Sequence, residues 1–410
     1  MSAKRVAVVG AGPSGLAAAR HFSADSSFEC HVYEQGSDLG GTWVLSEHVG
    51  NEPDGRPVHS SMYKNLRTNL PKEIMSFPRF PFDDKLGTFL SCEEVLEYLH
   101  KFADHYGLRK MMRFDHLVCE IKPLNPSESL TIWELRIRDL KGEVEFVQHY
   151  DAVVVANGHN SEPYWPQFDG LEMYEGKILH SHDYRDAANY KNEDLLIIGG
   201  SFSALDILLQ VAKHATHVTI SHHLKELKVK IPENVTEVSD VLKFDQDKVH
   251  FTDGQSRKFD TVIMCTGFNY AFPFLHPGCK ITTCGYGVEP LYKHFINIEH
   301  PTMCLLVLAN HVSPLQLADL EVRFFKKLLL GESALPSKSE MYEELKKDQK
   351  MRKEKLGLGP RHAHKMGCLQ KKHYDDLANT AGMEGVHPDI ANYILKAQDD
   401  FCVLSSQCSE

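Results

Sequence analysis

Two groups of small residues in this chain are spaced for work on phosphates. Gly10, Gly12 and Gly15 read as GxGxxG, with Pro13 and Ser14 between the second and third glycines. In such a turn the first glycine permits the bend, the second lets backbone approach a pyrophosphate, and the third lets a helix pack close to a strand. A helix starting there offers free N–H groups and the positive end of its dipole to the phosphates. Glu34 follows 19 residues after Gly15, where a carboxylate can accept both hydroxyls of a ribose. The second group is Gly199-Gly200-Ser201-Phe202-Ser203-Ala204, with Ser201 and Ala204 in place of two glycines. Both are small, so close approach stays open. Beyond it lie Ser221, His222, His223 and Lys225, with no acid among them. Ser, His and Lys can bind a 2′-phosphate that a carboxylate would repel. The first group therefore suits FAD and the second NADPH. Two such sites in one chain imply electron transfer between two nucleotide cofactors.

The elements that would position these residues are visible in the same stretches. An apolar β-branched run enters Gly10, a good helix former leaves Gly15, and a second apolar run ends at Glu34. The second group repeats this order, with a strand over 194–198, a helix over 205–213 and a strand over 217–220. Runs at 152–155, 261–264 and 304–308 read as further buried strands. The first two end in glycine turns at Asn157-Gly158 and Thr266-Gly267. After Glu34 and Gln35, Gly40-Gly41-Thr42-Trp43 lets backbone pass close to a flat ligand, with Trp43 covering it. Prolines among aromatics over 62–82 predict an extended wall without helix. Ser91 and Glu94 form a capping box for a helix over 91–106. Alternation over 117–119, 133–137 and 144–149 predicts an antiparallel meander. A helix from Pro314 to Leu330 would aim its N-terminus, with Gln316, at a ligand, and 337–355 reads as a charged amphipathic helix. The fold expected is α/β, with two Rossmann-like dinucleotide-binding domains, the second inserted in the first, and a helical C-terminal segment. The FAD-binding part spans 1–168 and 280–410, the NADP-binding part 169–279.

Composition narrows the class. The chain has 410 residues and a net charge of −11, which disfavours bulk nucleic-acid binding. Its ten cysteines form no CxxC, so a dithiol redox centre and zinc-finger spacing are absent and reduced thiols are expected. No apolar run reaches the ~18 residues of a spanning helix. A soluble cytoplasmic protein is expected, secreted only where a signal peptide has been removed. Homo-oligomerisation stays open.

Further motifs make the chain resemble the flavin-containing monooxygenases, in particular shorter, insect-type members of that family. Tyr174-Glu175-Gly176-Lys177-Ile178-Leu179-His180-Ser181-His182-Asp183-Tyr184 is similar to the family's FxGxxxHxxx(Y/F) identifier, with Tyr for the leading Phe. Thr68-Asn69-Leu70-Pro71-Lys72-Glu73 resembles its TNxxKE segment, and Gly40-Gly41-Thr42-Trp43 its GGxW. Tyr184-Arg185 departs from the Trp-Pro or Trp-Asp of Baeyer–Villiger relatives. Ser201 and Ala204 depart from the family's GxGxSG. The resemblance implies NADPH- and O2-dependent oxygenation of amine nitrogen or sulfide sulfur through a C4a-hydroperoxyflavin, with tertiary-amine xenobiotics or plant alkaloids among the substrates. It places Asn69 at the reacting centre and Asn65, Leu66 and Thr68 against the cofactors, with Thr266 and Gly267 in a linker. Gln316 would steady the flavin edge, and His180 would order a linker rather than move protons. Arg361, His362 and Tyr374 would border the substrate. Two other readings of the same two nucleotide sites remain: a flavin-dependent NADPH oxidase or quinone reductase, and a non-enzymatic redox sensor.

Overall fold

A computed structural model of the chain describes residues 2–125, 131–224, 227, 230–284, 287–359 and 362–394. Lys225 and Arg361 lie outside the described residues. The chain divides into two compact units, one built from Met1–Val44, Leu70–His159 and Tyr270–Glu410, the other from Leu45–Asn69 and Asn160–Asn269.

The first unit is built on a seven-stranded sheet. Its order is Leu291–Tyr292, Ile296–Asn297, Met303–Leu305, Ala152–Val155, Lys4–Val9, Phe28–Tyr33, Met112–Arg113. The last five run parallel. Strands buried on both faces need apolar residues at every position, which explains the unbroken run Val6-Ala7-Val8-Val9. Val6 and Val8 pack with Leu16, Ala18 and Phe22 of the helix Pro13–Ser23. Ala7 and Val9 face Trp133, Leu135 and Ile137. Those three come from the middle strand of an antiparallel meander, His116–Leu124, Ile132–Asp139 and Val144–Tyr150. The helix Pro314–Leu330 packs against Pro13–Ser23, and Gln370–Ala381 against Pro314–Leu330. Ser91 caps Cys92–His105 with the expected capping box to Glu94.

The second unit holds a five-stranded parallel sheet, ordered Val235–Val238, His217–Ser221, Asp194–Ile198, Thr261–Met264, Lys177–His180. Leu195 and Ile197 join one core cluster, Leu196 and Ile198 the other. The segment Leu45–Asn69 clusters with this unit, and its Tyr63 and Leu66 pack into the same apolar cluster as Ile197 and Tyr184. The second unit runs from Asn160 to Asn269 where 169–279 is expected from sequence, and it also takes in 45–69, whose apolar anchoring by Tyr63 and Leu66 is not visible in chain order.

Three local expectations need correction. Lys72–Met75 is one turn of helix, started by Pro71 at φ −60 and ψ 145, inside the stretch expected to be extended throughout. The strand expected over 304–308 ends at Leu305. Val307 turns left-handed, at φ 54, and gives its N–H to the buried Glu321 Oε2 at 2.7 Å. The second motif's helix begins at Phe202 and ends at Val211, two to three residues earlier than expected.

Candidate nucleotide and active-site residues

The first glycine group sits where the strand Lys4–Val9 passes into the helix Pro13–Ser23. Gly10 has φ +104, and a Cβ on it would lie 2.5 Å from Ala156 O. A Cβ on Gly15 would lie 1.9 Å from Gly10 O. The fold itself therefore requires both glycines. Gly12 is different: its φ is −73 and a Cβ there would meet Gly41 Cα at 3.4 Å, ordinary contact. Such bareness, not required by φ or by packing, is what backbone approach to a pyrophosphate demands. Gly41, at φ +57, faces it across the same gap, and a Cβ there would come 2.9 Å from Gly12 Cα. The helix has no side-chain cap and no acid in its first turn, so the N–H groups after Pro13, at Ser14 and Gly15, keep their donor capacity and the dipole is not offset. Glu34 is buried. Its Oε2 accepts Ala11 N–H at 2.7 Å and its Oε1 accepts Gly36 N–H at 2.7 Å. A carboxylate in this place, at the end of the second strand, suits a ribose. Gln35 and Thr42 flank this region. Trp43 ends a single 3-10 turn, packs against the core, and accepts Cys92 Sγ–H at its carbonyl. These features fit FAD.

The second group is arranged likewise. Gly199 has φ +128, and a Cβ would lie 2.4 Å from Cys265 O. Ser201 is exposed at the N-cap of Phe202–Val211 without a side-chain capping bond, and the first turn, with Ser203, carries no acid. Ala204 is fully buried. The free hydroxyl and open first turn fit the pyrophosphate of NADPH. Around the expected 2′-phosphate site the side chains have inward partners. Ser221 Oγ donates to Ser239 O at 2.8 Å. His222 Nδ1 accepts Leu224 N–H at 3.2 Å, and its Nε2 lies 3.0 Å from Glu237 Oε2. The accepting Nδ1 leaves the ring proton on Nε2, directed at the carboxylate. Glu237 lies on a neighbouring strand 15 residues further on, so no spacing rule in the sequence marks it. His223 is exposed. Thr266 donates to Tyr164 O at 2.6 Å and Gly267 takes φ +86, both in the turn after Thr261–Met264.

The remaining candidates separate. Asn69 and Asn65 are exposed, Thr68 is buried and Leu66 half-buried, all on Leu45–Asn69. His180 is fully buried between the rings of Trp165 and Phe268. Burial pushes its pKa down to about 4, and its Nδ1 accepts His182 N–H at 3.1 Å, so it stays neutral and orders its turn. Gln316 is buried and donates to Ser76 O at 2.8 Å, which ties the start of Pro314–Leu330 to the 72–76 turn. Tyr374, expected near the substrate, is a core residue that donates to Ser313 O at 2.8 Å. His362 is half-buried. Glu321 was not singled out in the sequence: burial raises its pKa well above the carboxyl range, and nothing in Leu320-Glu321-Val322 announces it. Among the described residues no helix is long and apolar enough to cross a membrane.

Comparison with known proteins agrees with this geometry. The flavin-binding monooxygenase-like family matches residues 3–226 and 225–402. The senecionine N-oxygenase of Tyria jacobaeae is 33% identical over 347 residues, covering 83% of this chain and 74% of the relative. A trimethylamine monooxygenase of Roseovarius sp. (strain 217) is 30% identical over 352 residues, covering 83% and 78%. The solved S-allyl-L-cysteine S-oxygenase of Allium sativum superposes with a TM-score of 0.88 at 30% identity, covering 98% of this chain and 94% of that one. The chain belongs to the flavin-binding monooxygenase-like family, as a monooxygenase that uses FAD and NADPH.

Proposed function

We propose that this chain oxygenates soft nucleophilic nitrogen or sulfur atoms of small molecules, tertiary amines and amine-bearing plant alkaloids foremost. The observation that carries the reading is the pair of nucleotide cradles, one around Gly12 and Gly41 and one at Ser201, in a chain similar to N- and S-oxygenases. In the balance for a tertiary amine, the amine, O2, NADPH and a proton give the amine N-oxide, NADP⁺ and water. Bound flavin supplies the redox chemistry between NADPH, O2 and substrate.

The chain's own residues bind and shield. Gly10, Gly12, Ser14 and Gly15 receive the FAD pyrophosphate, Glu34 its ribose, and Gly41, Thr42 and Trp43 its flat portion. Ser201, Phe202, Ser203 and Ala204 receive the NADPH pyrophosphate, with Ser221, His222 and His223 around the adenosine ribose. Asn65, Leu66 and Thr68 support the cofactors, and the Asn69 carboxamide holds a hydrogen bond at the reacting centre. Oxygen transfer to a soft nucleophile needs exclusion of water more than a catalytic acid. A neutral, buried His180 agrees with that demand. Seven free thiols among the described residues suit a reducing, cytoplasm-like compartment.

The test is turnover of the holoenzyme with NADPH and trimethylamine under ¹⁸O2, read by mass spectrometry. Labelled N-oxide in step with NADPH consumption is expected. NADPH loss matched by hydrogen peroxide, with no labelled product from an amine or a sulfide, would overturn the reading in favour of an oxidase or reductase. Asn69→Ala is expected to lower product formed per NADPH at least about 10-fold.

A further inference from the structure

We propose that Arg185 is a positioning residue: it holds the segment bearing Asn65, Thr68 and Asn69 on the NADPH-binding unit, and so couples NADPH use to oxygen transfer. The coupling part rests on the reading of Asn69 given above.

Leu45–Asn69 is an excursion. The chain on both sides of it belongs to the first unit, yet the segment packs in the second. It contains no helix and no extended strand, only bridge residues at Asn51, Pro57 and Arg67. Backbone without a ladder must be held by side chains or water. Arg185 supplies that hold. Its Nη2 donates to His48 O at 2.9 Å and to Ser60 O at 3.0 Å, so one nitrogen gathers two points 12 residues apart. Its Nη1 donates to His182 O at 2.5 Å and Tyr184 O at 3.0 Å. Its own carbonyl accepts Lys64 N–H at 2.9 Å. One planar fork thus faces the excursion with one prong and the identifier segment with the other. A lysine ammonium is a single point and cannot span both.

The environment of the cation agrees. Burial disfavours the charged guanidinium and lowers its pKa. Four carbonyl dipoles, two from each segment, replace the lost water. A second latch lies nearby. Tyr63 donates to Asp206 Oδ2 at 2.6 Å, and Asp206 belongs to the helix Phe202–Val211 that opens with the second nucleotide motif. The Tyr63 ring packs edge-on to Tyr184 at 5.0 Å. The Lys64–Asp186 pair, at 3.0 Å, is exposed on its lysine side and contributes little. Of these contacts only those of Arg185 reach the stretch before Ser60, at His48 O.

The experiment compares Arg185→Lys, Arg185→Ala and Asn69→Ala as FAD-loaded full chains. Hydrogen exchange in peptides covering 45–62 is expected to quicken at least about 10-fold in both Arg185 variants, with peptides over 194–221 unchanged. Product per NADPH is expected to fall in the Arg185 variants while the KM for NADPH holds. Adding Asn69→Ala to Arg185→Lys should lower it no further than Asn69→Ala alone, since the arginine acts through that segment. Unchanged exchange over 45–62 overturns the proposal, as does full coupling in Arg185→Lys when Asn69→Ala is uncoupled. Full coupling in Asn69→Ala itself overturns the reading of Asn69 instead, and exchange alone then decides the clamp. Should Arg185→Ala fail to fold, Arg185→Lys carries the same comparison.

Discussion

The two nucleotide turns of this chain share their first glycine and part company at the other positions. Gly10 and Gly199 both take positive φ, at +104 and +128, and both press against a carbonyl, of Ala156 and of Cys265. Both give their N–H to the last residue of the following parallel strand, Tyr33 at 2.8 Å and Ser221 at 2.9 Å. The strand-to-helix bend needs this whatever ligand follows. At the third position Gly15 lies so close to Gly10 that no Cβ fits, whereas Ala204 carries one into the cluster of Leu195, Ile197 and Ile263. At the second position Gly12 is bare and Ser201 offers a hydroxyl. After the second strand Glu34 turns back onto Ala11 N–H, while His222 faces Glu237. Two residues after the third position the first motif buries Ala17, and the second places Asp206, bonded to Tyr63 and Gln210. The first turn is closed tightly on its own backbone. The second is looser at the helix and is tied to side chains from elsewhere in its unit.

The largest test of that contrast is at the third position. Gly15→Ala should cost on the order of 3 kcal/mol or more, because a carbonyl oxygen at 1.9 Å cannot be cleared by a side-chain rotation. Ala204→Gly should cost only about 1 kcal/mol. Urea unfolding of both variants checks this, and equal losses would break the comparison. At the second position, Gly12→Ala should leave the stability of the apoprotein within about 1 kcal/mol. It should nonetheless weaken FAD binding at least about 10-fold, read by flavin fluorescence titration. A parallel loss of both would mean that Gly12 serves the fold as Gly15 does.

A smaller effect is expected after the second strand. Glu237→Gln removes the carboxylate beside His222 and should raise the ratio of kcat/KM for NADPH over NADH a few-fold, about 1 kcal/mol. An unchanged ratio would separate this pair from the 2′-phosphate. The smallest effect concerns pH. Burial raises the Asp206 pKa above its ordinary 3.8 despite the bonds from Tyr63 and Gln210. The folded chain therefore keeps a proton that the unfolded chain releases, and stability falls as pH rises from 3.8 toward the raised value. Asp206→Asn, which keeps an acceptor for Tyr63, should flatten that fall by at most ~1.4 kcal/mol per pH unit. Parallel urea-stability curves for wild type and variant would show that the carboxyl is ionised in the fold.

The sequence by itself determined the βαβ units, their order and their family. Glycine at a positive φ, unbroken apolar runs in doubly buried strands and small residues at a helix start are local requirements, so residues such as Gly10, Val6 and Ser201 declare them in chain order. The capping box of Ser91 with Glu94 is legible for the same reason, since both partners lie within one turn. Tertiary structure alone decided the rest. It placed Glu237 beside His222 through strand pairing, and buried Tyr374 with its hydroxyl on Ser313 O. It bent Val307 out of its strand toward a buried Glu321. It also gave 45–69 to the unit that Arg185 and Tyr63 secure. Each of these depends on a partner far away in sequence whose residue type is unremarkable until the chain folds. Burial and hydrogen-bond satisfaction are properties of the packed chain, and neighbouring residues do not encode them.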